Sequence, residues 1–275
     1  MGCQRLRVTG GRQARSVGVT LDREASLASY QELLERYLDD SGALHYAQWH
    51  ASEGDVAALD ALLESWRQSS PDNRPDAFGS AASRLSYWLN LYNALVIREV
   101  LRHWPLESVR DVRPTMLSKV VTLKGFFRDL RFDVGGRRMN LGDIENKVIR
   151  SQFKDARIHF AINCGSASCP ILRKSVFDGA ELEAQLDQAS REFVADDANV
   201  AVDLVRREVR LSKIFSWYKD DFKTHARALS GNSKVGTLEF VILFARGEKR
   251  KALERAQGEG FALRYQDYDW ALNKA

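Results

Sequence analysis

Two of the three cysteines lie close to a histidine near the middle of the chain. His159, Cys164 and Cys169 fall within residues 157–170, where a short apolar run gives way to small residues and then to Pro170. A thiolate beside an imidazole forms acyl intermediates readily. This stretch therefore predicts thiol chemistry, namely acyl transfer or amide hydrolysis, with His159 as the base.

The expected local structure distinguishes the two thiols. Residues 157–163 read as a β-strand, Gly165 permits a turn, and Pro170 suits the first turn of a following helix. Cys169 would then lie near a helix N-terminus, where the helix dipole favours a thiolate. On this geometry Cys169 is the better nucleophile and Cys164 the better packed or partnered thiol.

Several other residues are candidates for supporting roles. Glu145, on a predicted short helix, could orient His159 or act as an acid, or be an ordinary surface or capping carboxylate. Asn90 and Asn93 share one face of a long apolar helix, and we expect them to hold the 157–170 loop. The remaining candidates, which would orient groups or shape that loop, are Asn163, Ser166 and Ser168.

Three interpretations remain open on the residues alone. The first is a thiol-dependent enzyme that acts on a small molecule or a peptide. The second is a non-catalytic binding or structural module, in which Cys164 and Cys169 form a disulfide or are packed thiols. The third is a metal site that uses His159, although the spacing matches no recognised zinc pattern. We favour the first, and we expect no metal and no cofactor.

The apolar patterns predict the elements that must position these groups. Residues 81–104 form the longest and most apolar helix, so we expect it to be central and buried. Alternating residues predict hairpins at 126–139 and 200–211, and a further helix covers 180–194. The fold class expected is α+β, with several helices around the central helix and a small antiparallel sheet built from hairpins.

Composition sets the limits of the function. The 275 residues carry 41 basic and 37 acidic side chains, a balance too even to indicate nucleic-acid binding, and no apolar run is long enough to span a membrane. We expect residues 1–20, rich in Gly and Arg, to be disordered and residues 21–275 to form one domain. As written the sequence predicts a cytoplasmic protein; a start further upstream that encodes a signal would make it periplasmic or secreted.

The ordered motifs resemble those of the domain of unknown function 547 family. They are Tyr87 to Leu95, Leu141 to Glu145, Arg157 to Pro170, Leu211 to Tyr218, Asp221-Phe222 and Tyr268 to Asn273. The resemblance implies a family without a settled activity. Its members commonly carry a histidine directly after the Ile-Glu pair, where this chain has Asn146. The resemblance therefore implies a supportive role for that position, or that His159 is the essential histidine.

Overall fold

The computed structural model describes residues 23–113, 125–232 and 235–275. The predicted disorder of residues 1–20 lies outside this part of the chain. Within the described residues, no helix has both the length and the apolar character needed to cross a bilayer.

The described chain is mostly helical, with two small sheets. The helices are α1 Arg23–Tyr37, α2 Tyr46–Ala51, α3 Glu53–Gln68, α4 Ala81–Arg102, α5 Leu141–Asp143, α6 Leu182–Ala195, α7 Lys213–Trp217, α8 Lys219–Ser230, α9 Thr237–Phe244 and α10 Gly247–Gly258. The strands are β1 Phe132–Val134, β2 Arg137–Met139, β3 Val200–Asp203, β4 Glu208–Leu211 and β5 Ala262–Tyr265. A π-helix, Ile144–Phe153, continues α5, and a 3₁₀-helix covers Ala156–Phe160.

The long helix α4 is the centre of the larger hydrophobic cluster, as its sequence predicts. Ser80 caps its N-terminus by accepting a hydrogen bond from the backbone N–H of Ser83, and the helix ends before Pro105. Nearly every side chain from Leu85 to Leu101 is buried. Helices α1 to α3, the β1–β2 hairpin and the π-helix pack against it. The central position of α4 means that polar side chains on it must find partners inside the protein.

A second hydrophobic cluster forms between α6, α8, α9, α10 and a three-stranded sheet. Strands β3 and β4 pair antiparallel, and β5 adds to β4 in parallel. Both hairpins predicted from the alternating residues are present. The α+β fold class is confirmed, with one small antiparallel hairpin and a second small sheet that contains one parallel pair.

The expected strand at 157–163 is wrong. Asp155 accepts a hydrogen bond from the backbone N–H of Arg157 at 2.9 Å and begins the 3₁₀-helix Ala156–Phe160 instead. A short apolar run is compatible with either structure when it is buried on all sides. Ile158 packs into the larger cluster and Phe160 into the second, so this segment lies at the junction of the two.

The helix expected directly after Pro170 is also absent. The chain continues without regular structure until α6 begins at Leu182. Cys169 therefore lies in a loop and not at a helix N-terminus. A helix dipole therefore cannot stabilise its thiolate, and any stabilisation must come from other neighbouring groups.

Candidate active site

The two cysteines are brought together by a tight loop after the 3₁₀-helix. Gly165 adopts a left-handed conformation with φ of +84°, and a Cβ atom there would lie 3.0 Å from a methyl group of Val109. The turn allows the backbone N–H of Cys164 to donate a hydrogen bond to Sγ of Cys169 at 3.0 Å. Both are free thiols and both are partly exposed. The loop itself, with its glycine, thus supplies one donor for the Cys169 sulfur.

Two hydroxyl groups complete the surroundings of the sulfurs. Ser166 Oγ lies 3.0 Å from Sγ of Cys164 and 3.3 Å from Sγ of Cys169. The Tyr268 hydroxyl lies 3.4 Å and 3.1 Å from the same two atoms. Ser166 donates to the Tyr268 oxygen at 2.9 Å. The phenolic proton of Tyr268 is therefore free to point at a sulfur.

These contacts separate the pKa values of the two thiols. Burial acts to raise the pKa of Cys169, but the hydrogen bond with the Cys164 thiol and the contacts with the Ser166 and Tyr268 hydroxyls outweigh it and lower the pKa to about 6. The pKa of Cys164 is raised well above its usual value, first by the hydrogen bond with Cys169 and then by burial. One proton is thus held by Cys164, and Cys169 is the thiol that ionises near neutral pH.

Tyr268 reaches the thiols because the C-terminal segment pairs with the cysteine loop. The backbone N–H of Ala167 donates to the carbonyl of Ala271 at 2.8 Å, and that of Asn273 donates to the carbonyl of Gly165 at 3.0 Å. Ser168 Oγ accepts from the backbone N–H of Asp269 at 2.8 Å. Ser168 therefore fixes the segment that carries Tyr268 and does not contact a sulfur.

Buried asparagines hold the other side of the loop. Asn93 donates to the carbonyl of Ala161 at 2.9 Å and accepts from the backbone N–H of Asn163, also at 2.9 Å. The Asn163 side chain donates to the carbonyl of Pro170 at 2.8 Å and so spans the loop. A buried amide with both groups satisfied favours one loop conformation.

Asn90 does not hold this loop, in contrast to the expectation. Its side chain donates to the carbonyl of Phe177 at 2.8 Å and accepts from the N–H of Phe177 at 3.0 Å. The segment that it ties to α4 lies further along the chain, between the cysteine loop and α6.

His159 forms a second polar cluster with residues from α8 and the π-helix. Its Nε2 lies 2.8 Å from the carboxylate of Asp221, which also accepts from Arg150 at 2.7 Å and 3.0 Å. The His159 ring stacks on Tyr218 with ring centres 3.8 Å apart, and burial lowers its pKa. A neutral ring that donates from Nε2 to a carboxylate leaves Nδ1 as the unprotonated nitrogen, and Nδ1 has no hydrogen-bond partner.

Glu145 is held by a tyrosine. It accepts a hydrogen bond from the Tyr218 hydroxyl at 2.6 Å, and Tyr218, Arg150 and Tyr92 all act to lower its pKa. Burial raises the pKa of Glu145 despite these contributions. The residue lies in the first turn of the π-helix, a conformation that is frequent at functional sites. Its carboxyl group can therefore exchange a proton nearer to neutral pH than an exposed glutamate can.

The thiol pair, His159 and Glu145 line one cavity of about 330 Å³. The rest of its wall is formed by mostly apolar and aromatic residues. His159 is not a hydrogen-bond partner of either sulfur. The Cys/His pair predicted from the sequence is thus present as two groups on one cavity and not as a direct contact.

Sequence reasoning missed Asp221, Arg150 and Tyr268 as members of the site. Asp221 and Tyr268 belong to the motifs that carry the family resemblance, and membership of those motifs is the sequence signal that could have identified them. As to the metal alternative, the residues that the structure describes contain no group of three or more His, Cys, Asp or Glu side chains placed to share an ion.

Comparison with known families bears on the same region. Residues 78–194 match the DUF547 family. The members of this family are described as proteins of unknown function. The match confirms the resemblance seen in the motifs. It includes Asn93, Glu145, His159 and both cysteines, whereas Asp221 and Tyr268 lie beyond its end. Neither the curated proteins nor the solved structures yielded a significant match.

Proposed function

We propose that this protein is a thiol-dependent enzyme that transfers or hydrolyses acyl groups, with Cys169 as the nucleophile. The observation that supports the proposal is the position of the Cys169 sulfur. It accepts hydrogen bonds that favour a thiolate, and it lies on the wall of a cavity shared with Glu145 and His159. Cavities of this size with a few convergent polar groups are the usual form of a small-molecule site.

The proposed reaction uses the ionised sulfur directly. The thiolate attacks the acyl carbonyl carbon, a thioester forms, and the bond to the leaving group breaks. The leaving group takes a proton from the carboxyl of Glu145. Water, or a second acceptor, then attacks the thioester and returns its proton to Glu145, while the Cys169 thiolate is released. Atoms and charge balance over the cycle without a cofactor.

In this proposal the His159 cluster has a positioning role. Asp221 fixes the His159 ring through Nε2, and the ring stacks on Tyr218, whose hydroxyl is bonded to Glu145. The side chains of Asp221, His159 and Tyr218 therefore connect α8 to Glu145, which carries the proton in the proposed reaction.

Trapping of the thioester tests the proposal. After brief exposure to 4-nitrophenyl acetate near neutral pH and an acid quench, intact-mass measurement should show one added acetyl group, and peptide mapping should locate it on Cys169. The adduct should be absent in Cys169→Ser and present in Cys164→Ser. An adduct that persists in Cys169→Ser would reassign the nucleophile, and absence of an adduct in every form would refute acyl transfer.

A second candidate is a structural module in which Cys164 and Cys169 form a disulfide. The observation in its favour is that the two thiols share a hydrogen bond and the same Tyr268 partner. Intact mass after alkylation without reductant separates the two candidates. Alkylation of both Cys164 and Cys169, located by peptide mapping on protein from an oxidising compartment, excludes the disulfide, whereas a fully oxidised pair would leave no nucleophile.

A further inference from the structure

The lining of the cavity limits the substrates that the proposed enzyme can accept. Beyond the groups with proposed chemistry and the tyrosine hydroxyls, the wall is apolar. Its apolar residues are Phe127, Ile162, Pro170, Ile214, Trp217 and Trp270. Among the described residues that line it there is no lysine or arginine. The described lining residues thus offer an anionic substrate group no permanently cationic side chain to pair with.

The cavity lining favours neither anionic nor cationic substrates. An anion would face the Cys169 thiolate and Glu145 without a compensating cation, and an unpaired charge is costly to remove from water. A cation would meet two rings that already carry an arginine, because Arg110 lies over Trp270 at 5.3 Å and Arg150 over Tyr218 at 4.9 Å. Glu145, with its raised pKa, is also a weak counter-ion.

Three aromatic rings of the cavity wall pack against one another. Trp217 is 45% exposed and packs 4.7 Å from Tyr268 and 5.7 Å from Trp270, measured between ring centres. The cavity volume of about 330 Å³ corresponds to about eleven water molecules at about 30 Å³ each. The space suits a medium-length chain or a single ring.

We infer that the cavity binds the acyl portion of the substrate, and that this portion is uncharged and apolar, of medium length. The inference rests on the proposed function and adds the substrate class to it. Each methylene group that enters the cavity should increase kcat/KM about fourfold, which corresponds to about 0.8 kcal/mol of transfer free energy.

A series of 4-nitrophenyl esters tests the inference. From acetate to hexanoate, the four added methylene groups should raise kcat/KM by about 250-fold. The glutarate monoester should fall at least tenfold below pentanoate, which has the same chain length without the terminal carboxylate. The ester of 4-(trimethylammonio)butanoate should also be poor. Equal rates along the series, or a preference for either charged ester, would overturn the inference.

A positive charge introduced into the cavity wall should reverse the preference for an uncharged ester over an anionic one. In Phe127→Arg, the glutarate monoester should become the better substrate relative to pentanoate. Phe127→Leu keeps the wall apolar and should keep the preference for pentanoate. Val205→Arg adds the same charge at a turn where the side chain is 94% exposed, away from the cavity lining, and should change nothing. If Phe127→Arg does not fold, Trp217→Arg serves instead.

Binding without reaction separates this inference from the proposed function. Hexyl 4-nitrophenyl ether has no acyl carbonyl and should quench tryptophan fluorescence in the wild-type protein and in Cys169→Ser alike. If the ether binds but no ester acylates the protein, the proposed function fails while the apolar cavity stands. If esters acylate Cys169 but the ether does not bind and chain length has no effect, the inference alone fails.

Discussion

The hydroxyl of Tyr268 lies 3.1 Å from Sγ of Cys169, although 99 residues separate them in the sequence. Because Ser166 donates to the Tyr268 oxygen, the phenolic proton is available to the sulfur. The pKa of Tyr268 is itself raised, first by burial and then by the two neighbouring cysteines, so the hydroxyl stays protonated as a donor. The C-terminal segment is therefore part of the chemistry proposed for the cysteine loop.

Replacement of Tyr268 by phenylalanine should raise the pKa of Cys169. The variant loses a hydrogen bond to an ionised group, worth about 1.5–3 kcal/mol, so the midpoint should rise by about one pH unit or more. The rate of iodoacetamide labelling against pH measures this midpoint. Tyr265→Phe, in β5 against the second hydrophobic cluster, is the matched control and should leave it unchanged. An unchanged midpoint in Tyr268→Phe would show that the phenol does not stabilise the thiolate.

The two cysteines should affect each other in opposite directions. Cys164→Ala keeps the backbone N–H donor but removes the thiol hydrogen bond that lowers the pKa of Cys169, so the Cys169 midpoint should rise. Cys169→Ala removes the first cause of the raised pKa of Cys164, so the Cys164 midpoint should fall. The same labelling experiment follows both thiols. If each thiol titrates identically with and without the other, the coupling between them is absent.

The parts of the fold that local patterns describe could be predicted from the sequence. The apolar stripe of α4 and the alternation in the hairpins depend on residues a few positions apart. The 3₁₀-helix that holds His159 could not be predicted in this way, because buried Ile158 and Phe160 suit a strand equally well. Its conformation depends on Asp155 and on two hydrophobic clusters contributed by distant segments.

The candidate site shows the same division between local and distant information. Cys164, Cys169 and His159 are close in sequence, so their common location was predictable. Asp221 lies 62 residues from its partner His159, and Tyr268 lies 99 residues from Cys169. No periodicity connects such pairs, because they meet only when α8 and the C-terminal segment pack against the loop.

Asp221 should stabilise the protein in a pH-dependent manner. Burial acts to raise its pKa, but hydrogen bonds from His159 and Arg150 outweigh it, so the folded-state pKa lies below the unfolded value of about 3.9. The stabilisation is therefore present above that pH and is lost as the pH falls through the folded-state pKa. Asp221→Asn should reduce the free energy of unfolding at pH 7 by about 1–3 kcal/mol, because Arg150 and His159 lose a charged partner.

Denaturant unfolding between pH 7 and pH 3 measures this contribution. The difference between the wild-type protein and Asp221→Asn should shrink at the acid end of the range. Asp220→Asn changes the neighbouring, exposed carboxylate in the same helical turn and should have little effect at any pH. A difference that stays constant down to pH 3 would mean that the charge of Asp221 does not contribute.

The two asparagines of α4 should separate stability from reactivity. Asn90→Leu and Asn93→Leu each leave a buried carbonyl and a buried N–H without a partner, which should cost about 1–3 kcal/mol in unfolding free energy. Only Asn93 contacts the backbone at Ala161 and Asn163, so only Asn93→Leu should also change the labelling midpoint of Cys169. Thermal melts and iodoacetamide labelling on both variants test this. Equal effects on Cys169 reactivity would show that α4 does not position the cysteine loop through Asn93.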